Sequence, residues 1–186
     1  MIREAKTRTV RVTAEACPHH VTLTHEAAID FDTNVKMNPP LRTKADVDAV
    51  IAGLRDGTLD AIATDHAPHA PEEKIQEFET APFGVIGLET AWPLAYGLML
   101  AGMLTLEQVV AKLTVQPAKI ISIDRGNLSE GAIADIAIID PDETWAVDPS
   151  KFFSKSRNTP FAGWKMRGRV IKTLVSGKVV WSADSR

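Results

Sequence analysis

AIATDHAPHAPEEK, Ala61 to Lys74, sets one aspartate, two histidines and two prolines directly behind a short apolar run. Its first half belongs to Leu59–Asp65, LDAIATD, which reads as a short buried strand ending on Asp65. Upstream, Thr43 is placed to cap a helix whose Val47, Val50, Ile51 and Leu54 recur at i, i+3, i+4, i+7, with Gly57 closing it. A helix, a short turn, a strand and then a chemically loaded loop is the rhythm of an α/β barrel. A second strand is expected over Thr9–Glu15, TVRVTAE, where Val10 and Val12 alternate with Arg11 and Thr13 before Pro18 stops the run. Side chains at the C-terminal ends of barrel strands face the active site, which singles out Asp65 and Glu15.

The remainder follows from that frame. MIREAKTRTV reads as the last turns of a helix feeding the first strand. MNPPLR, Met37 to Arg42, is a rigid loop, because Pro39 and Pro40 lack donors and keep their neighbours extended. The loop from His66 to Val85 is long, and long ordered loops tend to carry function. Helices are expected from Gly87 toward Met103, from Thr105 with Gln108 completing a capping box, and over QPAKII. The texture changes at Gly126, after which short β-branched runs alternate with turn residues, and MRGRVIKTLVSGKVVWS forms two strands joined at Ser176-Gly177. The expected architecture is the last part of a (β/α)8 barrel over residues 1–125 and a small appended β-sandwich unit over residues 126–186.

The totals are those of an ordinary globular protein. Of 186 residues, 45% are hydrophobic and 24% charged, with a net charge of −3 and no long run of one sign. Nothing favours nucleic acid or an anionic membrane surface. The apolar stretch from Ala91 to Met103 is broken by Pro93, Gly97 and Gly102 and falls short of the ~20 residues that span a bilayer. The single cysteine, Cys17, excludes an internal disulfide and reads as a small buried hydrophobe in a reducing, cytoplasmic setting.

A strand-end carboxylate followed by imidazoles one and four positions later suits a hydrolytic metal site. Such a carboxylate can ligate a divalent cation and also accept a proton from water that the cation acidifies. The plainer alternative has Asp65 capping a turn and His66 and His69 solvated in a loop. Glu15 is read as an accessory metal group or a partner for a nearby arginine. His19 and His20 are read as packing residues or as supports behind the site, in preference to metal ligands. Arg42 is read as a contact for a substrate carboxylate or a brace for its loop, and Leu88, Trp92 and Tyr96 as core.

TDHAPH with a lysine, Lys74, five residues past His69 resembles the signature of the dihydroorotases, zinc enzymes of the cyclic amidohydrolase superfamily. AEACPHH (14–20), NPPLR (38–42), PFGVIGLE (82–89), QPAKI (116–120), GAIADIAIID (131–140) and SRNTPFAGW (156–164) follow in the order of that family. The resemblance implies a metal-dependent-hydrolase barrel and reversible cyclisation of N-carbamoyl-L-aspartate to (S)-dihydroorotate in pyrimidine synthesis. It implies Asp65 as metal ligand and general acid/base, with Asn38, His69, Phe83 and Gly84 binding substrate, the last two through their main chain. It further implies a binuclear zinc centre, and a homodimer or aspartate transcarbamoylase as partner.

The H-x-H pair, the bridging lysine or aspartate and two further histidine ligands implied by the resemblance are not among these residues. An eight-stranded barrel takes about 250 residues, and two barrel strands are legible here. The chain therefore reads as the C-terminal part of such an enzyme, inactive alone. Two alternatives stay open: a non-catalytic scaffold of the same family, and a hydantoinase or allantoinase.

Overall fold

The computed structural model describes residues 1–183. Helix α1 (Ile2–Thr7) leads into β1 (Glu15–Ala16), three short 3-10 turns and helix α2 (Lys44–Asp56). Strand β2 (Ala61–Ile62), α3 (Pro71–Lys74), α4 (Ala91–Leu100), α5 (Leu106–Leu113) and α6 (Val115–Ile120) follow. A 3-10 turn at Pro149–Lys151 separates β3 (Ile136–Ala146) from β4 (Lys165–Val175), and β5 (Lys178–Ser182) ends the described chain.

The local signals behave as their chemistry requires. Thr43 Oγ1 accepts from Asp46 N while the Asp46 carboxylate accepts from Thr43 N, and Gly57 closes α2 in the left-handed region at φ 81°. The face of α2 carrying Val47, Ile51 and Leu54 is buried, Leu54 completely, and each such side chain contributes about 1.5–3 kcal/mol. Thr105 and Gln108 make the second capping box at the start of α5. Replacing Thr105 by Ala is expected to cost about 1 kcal/mol, read as a lower urea midpoint with an unchanged slope.

Strands β1 and β2 pair in parallel, Glu15 opposite Ala61 and Ala16 opposite Ile62. The two barrel strands are thus shorter than the Thr9–Glu15 and Leu59–Asp65 runs expected from sequence. Only the residues facing each other find ladder partners, flanked by Asp60 N to Ala14 O at 2.7 Å and Ala63 N to Ala16 O at 3.1 Å. The helix expected from Gly87 begins at Ala91, and Leu88 is 62% exposed rather than core, whereas Tyr96 is buried.

The C-terminal segment forms one antiparallel sheet ordered β3-β4-β5. The Ser176-Gly177 turn between β4 and β5 has both residues at positive φ (48° and 76°), the conformation a two-residue hairpin requires. Among the described residues this is a single sheet, with no second sheet facing it to make a sandwich. It leans on α4 instead. Gly168 in β4, at φ 82°, lies so close to the stacked Trp92 and Tyr96 rings that a Cβ there would sit 2.7 Å from Tyr96 Cδ1.

Two buried clusters organise the molecule. One joins Ala16 and Ile62 of the strands to Val47, Ile51 and Leu54 of α2, Ala95 and Leu98 of α4, and Val109 of α5. The other joins Val35, Met37, Leu41 and Val85 from the loops at the strand ends to Leu94 of α4 and to Val147, Phe161 and Met166 of the C-terminal segment. The C-terminal segment therefore packs into the loops at the strand ends.

Candidate active site

Because β1 and β2 run in parallel, the segments that leave them, Cys17–His20 and Asp65–His69, emerge at the same end of the pair. Asp65 sits at φ 48°, a left-handed conformation that costs a residue with a Cβ. Its side chain is exposed and accepts no hydrogen bond among the described residues. Asp65 is thus an unpartnered carboxylate on left-handed backbone, three residues past the end of β2. Glu15, also exposed, makes no ion pair among the described residues.

The loop after Asp65 is fastened at several points. His66 pairs with Val85 as a parallel bridge, and its Nδ1 accepts from Gly87 N at 3.1 Å. His69 Nε2 donates to the Phe83 carbonyl at 2.9 Å, with Nδ1 3.5 Å from the Glu73 carboxylate. Both histidines are thus bound into the loop rather than free in solvent. Gly84, at φ 103°, has no room for a side chain, since a Cβ would lie 2.5 Å from Ala67 Cβ. Its N–H donates to Lys36 O at 2.8 Å, and its carbonyl accepts from Lys74 Nζ and Asn158 Nδ2, each at 3.2 Å. The Gly84 N–H is therefore already committed within the chain. Phe83 is half-exposed, with the Lys36 ammonium 4.6 Å from its ring centroid.

Three residues not predicted as functional hold this arrangement together. Lys36 Nζ donates to Ala81 O at 2.6 Å and Glu79 O at 2.8 Å. Lys74 Nζ donates to Pro82 O at 2.9 Å as well as to Gly84 O, and burial depresses its pKa. Asn158, 5% exposed, joins both strands of the loop: Nδ2 donates to Ala67 O at 2.9 Å, and Oδ1 accepts from His69 N at 3.3 Å. The signal available in the sequence was an asparagine two residues before a proline in SRNTPF and a lysine at fixed spacing from TDHAPH. Asn158→Ala leaves these buried groups unpaired and is expected to cost about 1–3 kcal/mol, with faster amide exchange over residues 66–85 than in wild type. Unchanged exchange there would contradict the bracing role.

Asn38 is exposed, on a loop whose Met37 is 3% exposed and whose Asn38–Pro39 peptide is cis. His20 Nε2 donates to Pro39 O at 2.8 Å, so His20 braces this loop from the end of β1. Arg42 Nε lies 3.6 Å from the Asp46 carboxylate, beside the first turn of α2. Cys17 is half-buried rather than fully buried, and burial first, then the charges of Asp65 and Glu15, push its thiol up to about 11. His19 is 4% exposed and held down to about 3, by burial and then by the neighbouring His20.

An apolar groove of about 760 Å³ lies elsewhere, between α4 and the C-terminal sheet, lined by Trp92, Trp145, Phe152 and Trp181. None of the expected site residues lines it. A family model described as "Amidohydrolase family" matches residues 4–180.

The chain belongs to the amidohydrolase family.

It is 55% identical over 184 residues to the dihydroorotase of Syntrophus aciditrophicus (strain SB), covering 99% of this chain and 43% of that protein. It is 56% identical over 181 residues to the dihydroorotase of Pelotomaculum thermopropionicum, covering 97% of this chain and 42% of that protein. The chain thus spans less than half the length of the relatives it matches. Among solved structures, the L-hydantoinase (dihydropyrimidinase) from Arthrobacter aurescens superposes with TM-score 0.91 at 30% identity, over 97% of this chain and 42% of that one. A dihydropyrimidinase from Brevibacillus agri NCHU1002 gives TM-score 0.90 at 26% identity, over 97% of this chain and 41% of that one. A fold shared with these amidohydrolases accounts for the parallel β1-β2 pair and the loaded loops at its end. No helix of the described residues is long and apolar enough to cross a membrane.

Proposed function

We propose that this chain supplies part of the active site of a cytoplasmic dihydroorotase, interconverting N-carbamoyl-L-aspartate and (S)-dihydroorotate in pyrimidine synthesis. What carries the reading is identity: 51–56% to named dihydroorotases against 26–30% to the hydantoinase and dihydropyrimidinase structures described above. The residues that bear the dihydroorotase resemblance, TDHAPH, NPPLR and PFG, are also those the loops gather at the strand ends.

Asp65 fits one ligand position of a metal centre, since its carboxylate is exposed and otherwise unengaged. One carboxylate does not hold a binuclear zinc centre, because catalytic zinc takes about three protein ligands per metal. The other ligands are expected from residues outside these 186. When bound, zinc acidifies a water and polarises the scissile carbonyl.

The chain's own part is acid-base work and positioning. In hydrolysis Asp65 takes the proton of the attacking water and returns it to the ring nitrogen as the C–N bond breaks. In ring closure it removes a proton from the ureido nitrogen, which attacks the carbon of the protonated carboxyl group, and it returns that proton to the departing hydroxyl, which leaves as water when the C–O bond breaks. Asn38 and His69 orient the substrate, His69 with its ring direction set by the Phe83 carbonyl. Phe83 and Gly84 line the substrate pocket by position, since the Gly84 N–H and carbonyl are engaged by Lys36, Lys74 and Asn158.

The division into a barrel part over residues 1–125 and a β unit over residues 126–186 belongs to the same reading, the sheet being completed to a sandwich by sequence outside this chain. A homodimer or aspartate transcarbamoylase as partner follows from the resemblance alone. The test is turnover by the complete protein that contains this sequence, with dihydroorotate and hydantoin compared side by side. Preference for dihydroorotate is expected, and turnover of hydantoin alone would overturn the assignment.

A further inference from the structure

Among the described residues one cluster offers three metal-type donors: Cys17, His19 and His20 each place one ligand atom within 4.8 Å of the other two. They occupy the cap and first turn of the 3-10 helix Pro18–Val21, immediately after β1. His20 donates Nε2–H to the Pro39 carbonyl at 2.8 Å, which leaves the lone pair on Nδ1. A backbone carbonyl that fixes one ring nitrogen while the other stays free is the usual support of a ligating histidine. His19 is buried, and its ring has an edge contact to His20 at 4.3 Å but no hydrogen bond among the described residues. Cys17 Sγ likewise has none.

We propose that Cys17, His19 and His20 bind a divalent cation of the zinc class through one sulfur and two imidazole nitrogens. One thiol and two neutral imidazoles are a borderline-soft donor set that selects zinc or cobalt over magnesium or calcium. Zinc–sulfur and zinc–nitrogen bonds of about 2.3 and 2.0 Å need the donors to close by roughly an ångström, within reach of side-chain rotation. Binding breaks the Cys17 S–H bond and forms a sulfur–metal bond, and the proton passes to solvent. Three protein donors leave one position of a tetrahedral ion for water. The site is independent of the dihydroorotase reading, because none of its ligands is assigned to that reaction.

The complete protein that contains this sequence, its catalytic metals loaded and the protein kept reduced with a phosphine, is titrated with cobalt(II) and then with zinc(II) in competition. The expected result is one further equivalent bound, with a thiolate-to-cobalt charge-transfer band in the near ultraviolet. Cys17→Ser abolishes that band and weakens zinc binding at least tenfold. His20→Asn, which can keep the Pro39 contact, weakens binding while the far-ultraviolet dichroism is unchanged. Asp65→Asn keeps the band. Absence of the band in the folded wild-type protein overturns the proposal, as does a band that survives Cys17→Ser or is lost only in Asp65→Asn. Dihydroorotate turnover in the complete protein tests the other reading and can fail separately.

Discussion

Asp65→Asn in the complete protein is expected to lower kcat for dihydroorotate by about 10²- to 10⁴-fold, the range that a positioned general acid/base contributes. The loss falls on kcat and not on stability, because the exposed carboxylate makes no hydrogen bond among the described residues and its removal unpairs nothing. Asparagine also tolerates the left-handed backbone at φ 48°, so the loop keeps its course. Steady-state kinetics with a parallel thermal melt separates the two effects. A fall of less than tenfold in kcat, or a melt lowered by many degrees, would contradict the assigned role.

The second large effect is on stability against pH, in the isolated chain treated with chelator. His19 is buried and held neutral down to about 3, against 6.5 for a free imidazole. Its folded pKa is depressed, so the unfolded state binds the proton first. Stability from this group is therefore intact above about pH 6.5 and lost progressively as pH falls toward 3. At 1.36 kcal/mol per unit the whole interval is worth up to about 5 kcal/mol. Other groups also titrate in the acid range, among them Asp60, whose pKa is lowered in part by Lys6. The readout is accordingly the difference between wild type and His19→Gln in urea unfolding at several pH values. The wild type should lose stability more steeply between pH 6.5 and 4, and parallel curves would place the His19 ring in contact with water.

Much of this architecture is local and therefore legible in the chain itself. Both capping boxes, the glycine that ends α2 and the Ser176-Gly177 hairpin are set by residues within three or four positions of one another. The strands were harder, because their extent is decided by partners: Val10 and Val12 alternate correctly, yet pairing reaches only Glu15 and Ala16. The sheet after Gly126 was legible as strands, but whether it faces another sheet is a tertiary fact that no β-branched run encodes. Asp65 and His69 could be singled out because the motif carries them together. Asn158 could not be linked to His69 from spacing, since 89 residues separate them and the contact exists only after Phe161 and Met166 pack beside Val85. The brace from His20 to Pro39 was hidden for the same reason, spanning 19 residues between two loops.

The central claim is that Asp65 is at once a metal ligand and the proton carrier of an amidohydrolase site only part of which lies in this chain. The most direct measurement is a zinc-edge anomalous crystal structure of the complete protein. The account predicts a zinc ion with an Asp65 carboxylate oxygen at about 2.0–2.2 Å, its remaining protein ligands coming from outside these 186 residues. An ordered zinc centre whose ligands exclude Asp65 would contradict it.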